Sequence, residues 1–365
     1  MSTLPLELHY AIIQDVLTVG DLRSLALCCS AFRDEAQGKL FFHPRISTRS
    51  QQHKFVNAIL GSPARLAPLV HIYSHQSGRE LHHMPGGTYA ELATALRAMC
   101  NLTELSLQQT KFFPHGILDG CTFKLKVFHW GNGGLPVYQV PYILQSFLPT
   151  QSTLKHLAIR GSLVLSNESP PLQVQIITKL CPMLESLSGD KDIVDALLRN
   201  GRSIKRLQWL NEELPALTVF QLGQLEHLEL LRYDIRRSTE TKFATQLTAL
   251  LFLEIFIEDV GPDNIANNLQ FLASMPRLRI LVVRKSPVTL RTLWQQSASP
   301  QLLGHDSTIQ KFFERSKSVK RVFVQKYVGG AHFEEFLASE NHTKVEYRVV
   351  CVDNVKLWTQ NCRLE

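Results

Sequence analysis

The first forty residues carry an amphipathic pattern that predicts three short helices. Apolar residues recur at three- and four-residue spacing from Leu8 to Leu17, which predicts a first helix with one apolar stripe. Pro5 suits the first turn of that helix, and Asp21 and Ser30 are expected to cap a second and a third helix. Three helices of this size are close to the lower limit for an independent core. A partner protein is therefore expected to cover part of their apolar surface.

The order and spacing of these residues resemble the F-box motif. The matching run begins with Leu4-Pro5, passes through Glu7-Leu8 and Asp21-Leu22, and ends with Phe32-Arg33 and Leu40-Phe41 in place of the usual final Trp or basic-aromatic pair. In that family the helices dock on a Skp-type adaptor, which hangs from a cullin scaffold that carries a RING ubiquitin ligase. The resemblance implies that nine residues are shared between the helical core and the adaptor interface: Leu4, Pro5, Leu8, Ile12, Leu17, Leu22, Leu25, Cys29 and Phe32.

A purely structural alternative stays open for the same helices. They would then be a cap that shields the first unit of the following domain from solvent, because a single motif is a hypothesis about function. The overall organisation is similar to that of the expanded F-box families of filamentous and mushroom-forming fungi, which indicates a lineage and not a target.

A second pattern, L-x-x-L-x-L, recurs through the rest of the chain. Successive copies mostly begin about 20 to 30 residues apart, which is close to the period of leucine-rich repeats. A weaker copy follows at 345–350. The copies are Leu102/Leu105/Leu107, Leu125/Phe128/Trp130, Leu154/Leu157/Ile159, Leu184/Leu187, Ile204/Leu207/Trp209, Leu225/Leu228/Leu230, Leu250/Leu253/Ile255, Leu278/Leu281/Val283 and Val319/Val322/Val324.

Segments with helical spacing separate many of these copies. They are 88–99, 171–180, 192–198, 262–275 and 307–316. Alternation of strand and helix predicts an α/β fold with a parallel sheet and outer helices, in which neighbouring units bury one another's apolar faces. The pattern resembles an irregular leucine-rich-repeat horseshoe, with parallel strands inside and helices outside. It departs from that family where Thr110, Gly133 and Ser162 replace the expected Asn or Cys, so the inner asparagine ladder is missing.

These patterns divide the chain into four parts. We predict an F-box-like helical domain at 1–43, a connector at 44–60, a repeat array at 61–352 with an insertion near 285–318, and a C-terminal tail at 353–365.

The inner face of the array is the candidate substrate surface. Residues between and after the later leucines of each copy are expected to point away from the core, and in the late repeats these are apolar and flanked by arginine. Such a patch suits an acidic segment with an apolar tip. The alternative is that the C-terminal tail or the insertion covers it. The predicted substrate-binding residues are Arg206, Phe252, Phe256, Val282, Arg284, Arg321 and Phe323.

Composition narrows the classes of function. The net charge of +7 is spread along the chain without a zinc-finger or RNA-recognition signature, so a solvated basic face is favoured and nucleic acid is not an expected partner. No apolar run is long enough for a membrane span, and the start lacks the features of a signal peptide. Seven cysteines without a C-x-x-C pair indicate reduced, buried thiols in a cytoplasmic or nuclear protein.

No pattern indicates catalysis or a cofactor. Phosphate-binding, dinucleotide-binding and nucleophile-elbow motifs are missing from the sequence. A zinc site at His71, His75, His82 and His83 is one interpretation of a histidine-rich segment, but no second ligand pair has a recognised spacing, so we predict surface-loop histidines and no metal.

The sequence therefore predicts a non-enzymatic substrate-recognition subunit of a cullin-type ubiquitin ligase. The F-box would bind the Skp-type adaptor, and the repeat surface would bind an unidentified protein substrate. The alternative is a scaffold that uses the same repeat surface without joining a ligase.

Overall fold

Strands that contain the later leucines of each copy of the pattern pair in parallel with their neighbours in sequence order. The structure is a computed structural model, and it divides into two compact units, Met1–Leu184 and Glu185–Glu365. It describes residues 6–16, 18–76, 86–109, 116–132, 142–160, 180–189, 191–198, 204–209, 227–235, 247–257, 272, 274–285, 313–314, 316–325, 332–338 and 345–351.

The first unit begins with helices and continues into a parallel sheet. Its strands pair in the order β1-β2-β3-β4. A π-helical turn at Ile143–Phe147 and a 3-10 turn at Leu148–Thr150 precede the last strand. The elements are α1 (Leu6–Asp15), α2 (Val19–Cys28), α3 (Ser30–Phe42), α4 (Arg49–Gly61), α5 (Pro63–Leu66), β1 (Ile72–Gln76), α6 (Gly86–Ala98), β2 (Glu104–Gln109), β3 (Val127–Asn132) and β4 (His156–Arg160).

The second unit carries a longer run of strands. β5 to β10 are parallel, whereas β10, β11 and β12 pair antiparallel. The predicted weak repeat at 345–350 is thus the last member of an antiparallel pair, not another parallel repeat. The elements are β5 (Ser186–Gly189), α7 (Lys191–Leu198), β6 (Arg206–Trp209), β7 (Leu230–Ile235), β8 (Phe252–Ile257), β9 (Ile280–Lys285), β10 (Arg321–Gln325), β11 (His332–Ala338) and β12 (Val345–Cys351).

The predicted α/β repeat architecture is confirmed where the structure describes it. Helices at α6 and α7 match the predicted segments 88–99 and 192–198. The predicted helices at 171–180, 262–275 and 307–316 lie wholly or largely outside the described residues, as do most of the insertion and the C-terminal tail.

One backbone carbonyl in each repeat fixes the register of the next. The carbonyl of Thr103 accepts from the N–H groups of Lys126 and Val127 at 2.7 and 3.2 Å, and that of Arg279 accepts from Lys320 and Arg321 at 2.8 and 3.1 Å. Each acceptor directly follows the first apolar residue of its repeat. The same paired contact occurs at His71, Thr103, Lys126, Glu185, Lys205, Glu229, Leu251 and Arg279.

This register corrects one predicted repeat. Leu228 and Leu231 are the buried pair at β7, and Leu231 lies opposite Leu207 and Leu253. The predicted triplet Leu225/Leu228/Leu230 is therefore wrong, because leucines three residues apart fit the pattern in two registers. Leu230 and Arg232 consequently lie on the opposite face of the sheet from the repeat leucines.

The structure adds a repeat that the pattern did not reveal. β1 lies beside β2, with Tyr73 opposite Leu105 and His75 opposite Leu107, and both side chains are buried. The prediction of a surface-loop histidine is therefore wrong for His75, whereas His82 and His83 lie outside the described residues. The core position was missed because valine, tyrosine and histidine stand where other repeats carry leucine.

Two further expectations need correction or refinement. Residues 49–60 of the predicted connector form most of α4, which starts with a capping box at Thr48 and buries Phe55, Val56 and Ile59.

The expectation of buried thiols is also wrong in part. Cys28, Cys29, Cys100 and Cys351 are exposed, whereas Cys181 is buried.

A buried glutamine secures the turn before β4. The Gln151 side chain is fully buried; its Oε1 accepts from the Leu125 N–H at 2.9 Å, and its Nε2 donates to the Phe123 carbonyl at 3.3 Å. It therefore satisfies two backbone groups that have no access to water.

Gln151→Leu should lower the free energy of unfolding by about 2–4 kcal/mol, because it leaves a buried N–H and a buried carbonyl without this partner. Urea unfolding followed by circular dichroism measures the loss. Gln145→Leu, at an exposed position, is the matched control. Equal stability of the two variants would contradict the assigned role.

His75→Leu should flatten the dependence of stability on pH. Burial lowers the pKa of His75 from 6.5 to about 4, so the unfolded chain binds the proton more readily between these values. The contribution of neutral His75 is complete above pH 6.5 and is lost as the pH falls towards 4. Urea unfolding at pH 7 and pH 4.5 should show wild type losing about 2–3 kcal/mol more than His75→Leu.

His43→Leu removes an exposed histidine and serves as the control for this experiment. The same loss of stability in wild type and His75→Leu would show that His75 does not carry this pH dependence.

Candidate functional site

The three N-terminal helices expose an unusual amount of apolar surface. Among the described residues, eight large apolar side chains are exposed, and six of them lie on α1–α3: Leu8, Tyr10, Ile12, Val19, Leu27 and Phe42. Leu8 and Ile12 are 49% and 42% exposed and lie one helical turn apart on α1. An exposed apolar surface of this kind is a candidate binding site for another protein.

The predicted adaptor residues fall into three groups. Leu8, Ile12 and Cys29 are exposed, whereas Leu22 is buried and Leu25 and Phe32 are partly buried in the helical core. The core itself consists of Ile13, Leu22, Ala26 and Ala36. Leu4, Pro5 and Leu17 lie outside the described residues. The exposed positions are thus accessible to solvent and the buried positions form the helical core, a division that sequence alone left open.

The helix caps differ from those predicted. Thr18 caps α2: its Oγ1 accepts from the Asp21 N–H at 3.1 Å and donates to the Asp21 carboxylate at 2.7 Å. Asp21 therefore lies in the first turn of the helix, where its negative charge interacts favourably with the positive N-terminal end of the helix dipole. Cys29 is the N-cap of α3, and Ser30 is its first helical residue.

Lys39 holds the end of α1 against α3. Its Nζ donates to the carbonyls of Ile13, Gln14 and Val16 at 3.0, 2.7 and 2.9 Å. The Ile13 carbonyl also accepts from the Val16 N–H at 3.2 Å. A cation is favoured at this negative end of the helix, where carbonyls lack the regular helical partner. The contact fixes the orientation of α1 and thereby keeps Ile13 inside and Leu8 and Ile12 outside.

A groove of about 790 Å³ runs beside α2 and α3. Ala26, Leu40 and Phe41 form apolar parts of its wall, and the exposed side chain of Leu27 borders it. None of the nine predicted adaptor residues lines this groove, so it is separate from the surface that carries Leu8 and Ile12.

In the second unit, the predicted apolar substrate patch is buried. Phe252, Val282 and Phe323 are at most 1% exposed, and they form a cluster with Ile280 and with Phe333 of β11. The expectation that these apolar side chains are exposed is therefore wrong. β11 contributes a member of the cluster from a strand that the leucine pattern did not identify.

The polar residues of this face form two triads of arginine, glutamate and arginine. The Glu254 carboxylate accepts from the Nε–H of Arg232 at 2.5 Å and from the Nε–H of Arg284. Both Glu254 and Glu335 are only 1% exposed.

The second triad joins the last three strands. The Glu335 carboxylate accepts from Arg321 Nη1 at 3.4 Å and from the Nε–H of Arg348 at 2.5 Å. This hydrogen bond and the charge of Glu335 raise the pKa of Arg348 above its ordinary value. Each buried carboxylate is thereby balanced by two guanidinium groups, which is the arrangement that burial of a charge demands.

We call the six residues Arg232, Glu254, Arg284, Arg321, Glu335 and Arg348 the arginine row. In the strand register, Arg232, Glu254, Val282, Phe323, Glu335 and Arg348 lie opposite one another from β7 to β12. Arg284 and Arg321, which the sequence predicted, belong to the arginine row through their contacts with Glu254 and Glu335, although each lies two residues from this register position. Arg206 is partly exposed on β6, and Phe256 is partly exposed on β8.

Four members of the arginine row were not predicted from the sequence: Arg232, Glu254, Glu335 and Arg348. The wrong register at β7 hid Arg232, and no leucine pattern marks β11. A carboxylate inside an otherwise apolar strand, such as Glu254 in β8, was the one available signal that an opposite charge lies beside it.

Metal-ligand clusters and membrane-spanning helices are both absent from the residues that the structure describes. No group of three or more potential ligand side chains comes together there. None of the described helices has the length and hydropathy needed to cross a bilayer.

Comparison with known proteins does not assign a family. No protein-family model matches the chain, and no curated protein matches it. Two solved structures from Listeria monocytogenes show a weak likeness. Internalin C2 has a TM-score of 0.31 at 14% identity, covering 74% of this chain and 92% of its own. Internalin F has a TM-score of 0.34 at 13% identity, covering 84% and 81%. At such scores a common fold is not established, and the repeat architecture is defined by the strand pairing itself.

Lys39→Met should lower the free energy of unfolding by about 2 kcal/mol, because three carbonyls at the end of α1 lose a charged donor. Urea unfolding measures the change, and hydrogen exchange should show faster opening of α1. Lys54→Met, which removes an exposed lysine from α4, is the control. Unchanged protection of α1 would contradict the proposed role of Lys39.

Proposed function

We propose that this protein is a substrate-recognition subunit of a cullin-type ubiquitin ligase. In this proposal α1–α3 act as an F-box that docks on a Skp-type adaptor, and the repeat units bind a protein substrate. The observation that carries the proposal is the concentration of exposed apolar side chains on the helices whose sequence resembles the F-box. Fold alone does not assign function, whereas an exposed apolar surface on these helices is a feature that a partner can bind.

The exposed residues suit an obligate partner better than solvent. Leu8 and Ile12 present adjacent apolar side chains, while Ile13 on the same helix is 1% exposed and anchors the core. A partner that covers Leu8 and Ile12 would remove apolar area from water without rearranging that core. Lys39 supports the same arrangement by fixing α1 through backbone contacts that a partner need not disturb.

The mechanism we propose is proximity. The chain would hold a substrate near the ubiquitin-conjugating enzyme, so that substrate lysines meet the activated ubiquitin at a high effective concentration. The chain itself would transfer nothing. A scaffold that binds the adaptor without a ligase uses the same contacts, and recruitment of the cullin distinguishes the two.

Co-purification with a Skp-type adaptor tests the proposal. Wild type should retain the adaptor. The double variant Leu8→Asp, Ile12→Asp should retain at least about tenfold less adaptor, because unpaired charges would replace two apolar contacts that the adaptor buries. Met183→Asp is the matched control, since Met183 is 53% exposed in the same unit but outside the helices. Circular dichroism verifies that each variant is folded.

Failure of folded wild type to bind the adaptor would overturn the ligase proposal and favour the role of a helical cap. Binding of the adaptor without the cullin would favour the scaffold.

A further inference from the structure

We infer that the arginine row binds an acidic segment of a partner protein, through the aspartate and glutamate side chains of that segment. This inference deepens the proposed function by naming the chemistry of the substrate, and it rests on that proposal for its biological meaning. The binding chemistry itself is independent of the adaptor.

The exposed groups of the row are guanidinium groups, whereas its carboxylates are buried. The side chains of Arg232, Arg321 and Arg348 are 28%, 29% and 59% exposed, and that of Arg284 is 19% exposed. Glu254 and Glu335 are 1% exposed. A partner therefore meets four cations, and the two anions lie beneath them.

The glutamates orient the guanidinium groups before any partner arrives. Arg232, Arg284 and Arg348 contact a carboxylate through Nε–H, and each guanidinium carries further donors on its terminal nitrogens. Arg284 also lies over the Phe333 ring, 5.1 Å from its centroid. Side chains held in this way lose less conformational freedom on binding than free surface arginines do.

The length of the row sets the length of the segment. Arg232 on β7 and Arg348 on β12 are separated by five strand spacings of about 4.8 Å, or roughly 24 Å. An extended chain covers this distance with about seven residues. Arginine is also the side chain best suited to carboxylates, because its planar donors match two oxygens at once.

The positive charge of the row has one acidic neighbour among the described residues. Glu346 shares this face by register, two residues before Arg348 on β12. Four arginines and two glutamates leave the row itself cationic, whereas its β12 end is bordered by an acidic position. A short acidic segment fits this charge pattern, and a long polyanion that spreads over the whole face does not.

Three of the four aromatic residues described on this face are buried, and Phe256 is partly exposed, which argues against single-stranded nucleic acid. Such ligands are bound by stacking bases on accessible rings. Phe252, Phe323 and Phe333 on this face are at most 1% exposed, so they offer no stacking platform.

Fluorescence anisotropy with the full chain tests the inference. The probe is a labelled eight-residue peptide, Glu-Asp-Glu-Ala-Glu-Asp-Glu-Ala, and its counterpart with Gln and Asn in place of Glu and Asp reports non-electrostatic binding. Wild type should bind the acidic probe at least tenfold more tightly than the neutral one. Arg348→Gln removes the most exposed arginine and should weaken binding of the acidic probe. The double variant, which adds Arg232→Gln, should weaken it further, to about tenfold below wild type.

Lys54→Gln with Lys126→Gln is the matched control, because it removes the same charge from exposed positions in the first unit. It should bind the acidic probe as wild type does. Circular dichroism verifies folding, and Arg348→Gln alone keeps the test valid if the double variant is unstable.

Three results would overturn the inference: equal binding of both peptides, equal weakening by the lysine control, or tighter binding of an eight-residue oligothymidine that the arginine variants abolish. Adaptor co-purification is measured on the same preparations, and the arginine variants should retain it. Adaptor binding without peptide binding would remove the inference alone, whereas peptide binding without adaptor binding would remove the proposed function alone.

Discussion

The architecture depends on parallel pairing between consecutive strands, which a shared backbone carbonyl sets in register. In each repeat that carbonyl follows the first apolar residue and accepts two N–H groups from the next repeat. A strand of this kind cannot bury its apolar face alone, so each repeat needs its neighbour. Because the same contact recurs along each unit, residues at equivalent positions fall into rows, and Arg232, Glu254 and Val282 lie in one of them.

Buried charge imposes a second constraint on the late strands. Glu254 lies beside an apolar cluster that includes Phe252 and Val282, where an unpaired carboxylate would cost several kcal/mol. Arg232 and Arg284 offset that cost while remaining in contact with solvent. The triads therefore serve the fold through their carboxylates and offer a surface to partners through their guanidinium groups.

The N-terminal helices also divide stabilisation of the fold from exposure of a surface, but they assign the two to different residues. Ile13, Leu22 and Ala36 form a small core, and Lys39 fixes the end of α1. The neighbouring Leu8 and Ile12 lie outside that core. An apolar surface on one unit and a cationic row on the other would allow one chain to hold two partners by different interactions, which is the property that the proposed function requires.

Local pattern determined much of this protein. Helical periodicity predicted α1–α3, and the spacing of leucines predicted the parallel strands β2–β6 and β8–β10, because both signals repeat at the period of the backbone itself. Tertiary structure decided the rest. Leucines at 225, 228, 230 and 231 fit two registers, and only pairing with β6 and β8 selects Leu228 and Leu231.

Local sequence pattern is limited in the same way for the candidate binding residues. Sequence identified Arg284 and Arg321 but not their partners. Glu335 lies on β11, which the leucine pattern does not mark, and the role of Glu254 in β8 depends on the arginines of the neighbouring strands. It placed Phe252 and Phe323 on the correct face yet could not show that they are buried, because burial depends on what packs against that face. Sequence thus determined which residues alternate along each strand, and the long-range packing of strands decided which of them a partner can reach.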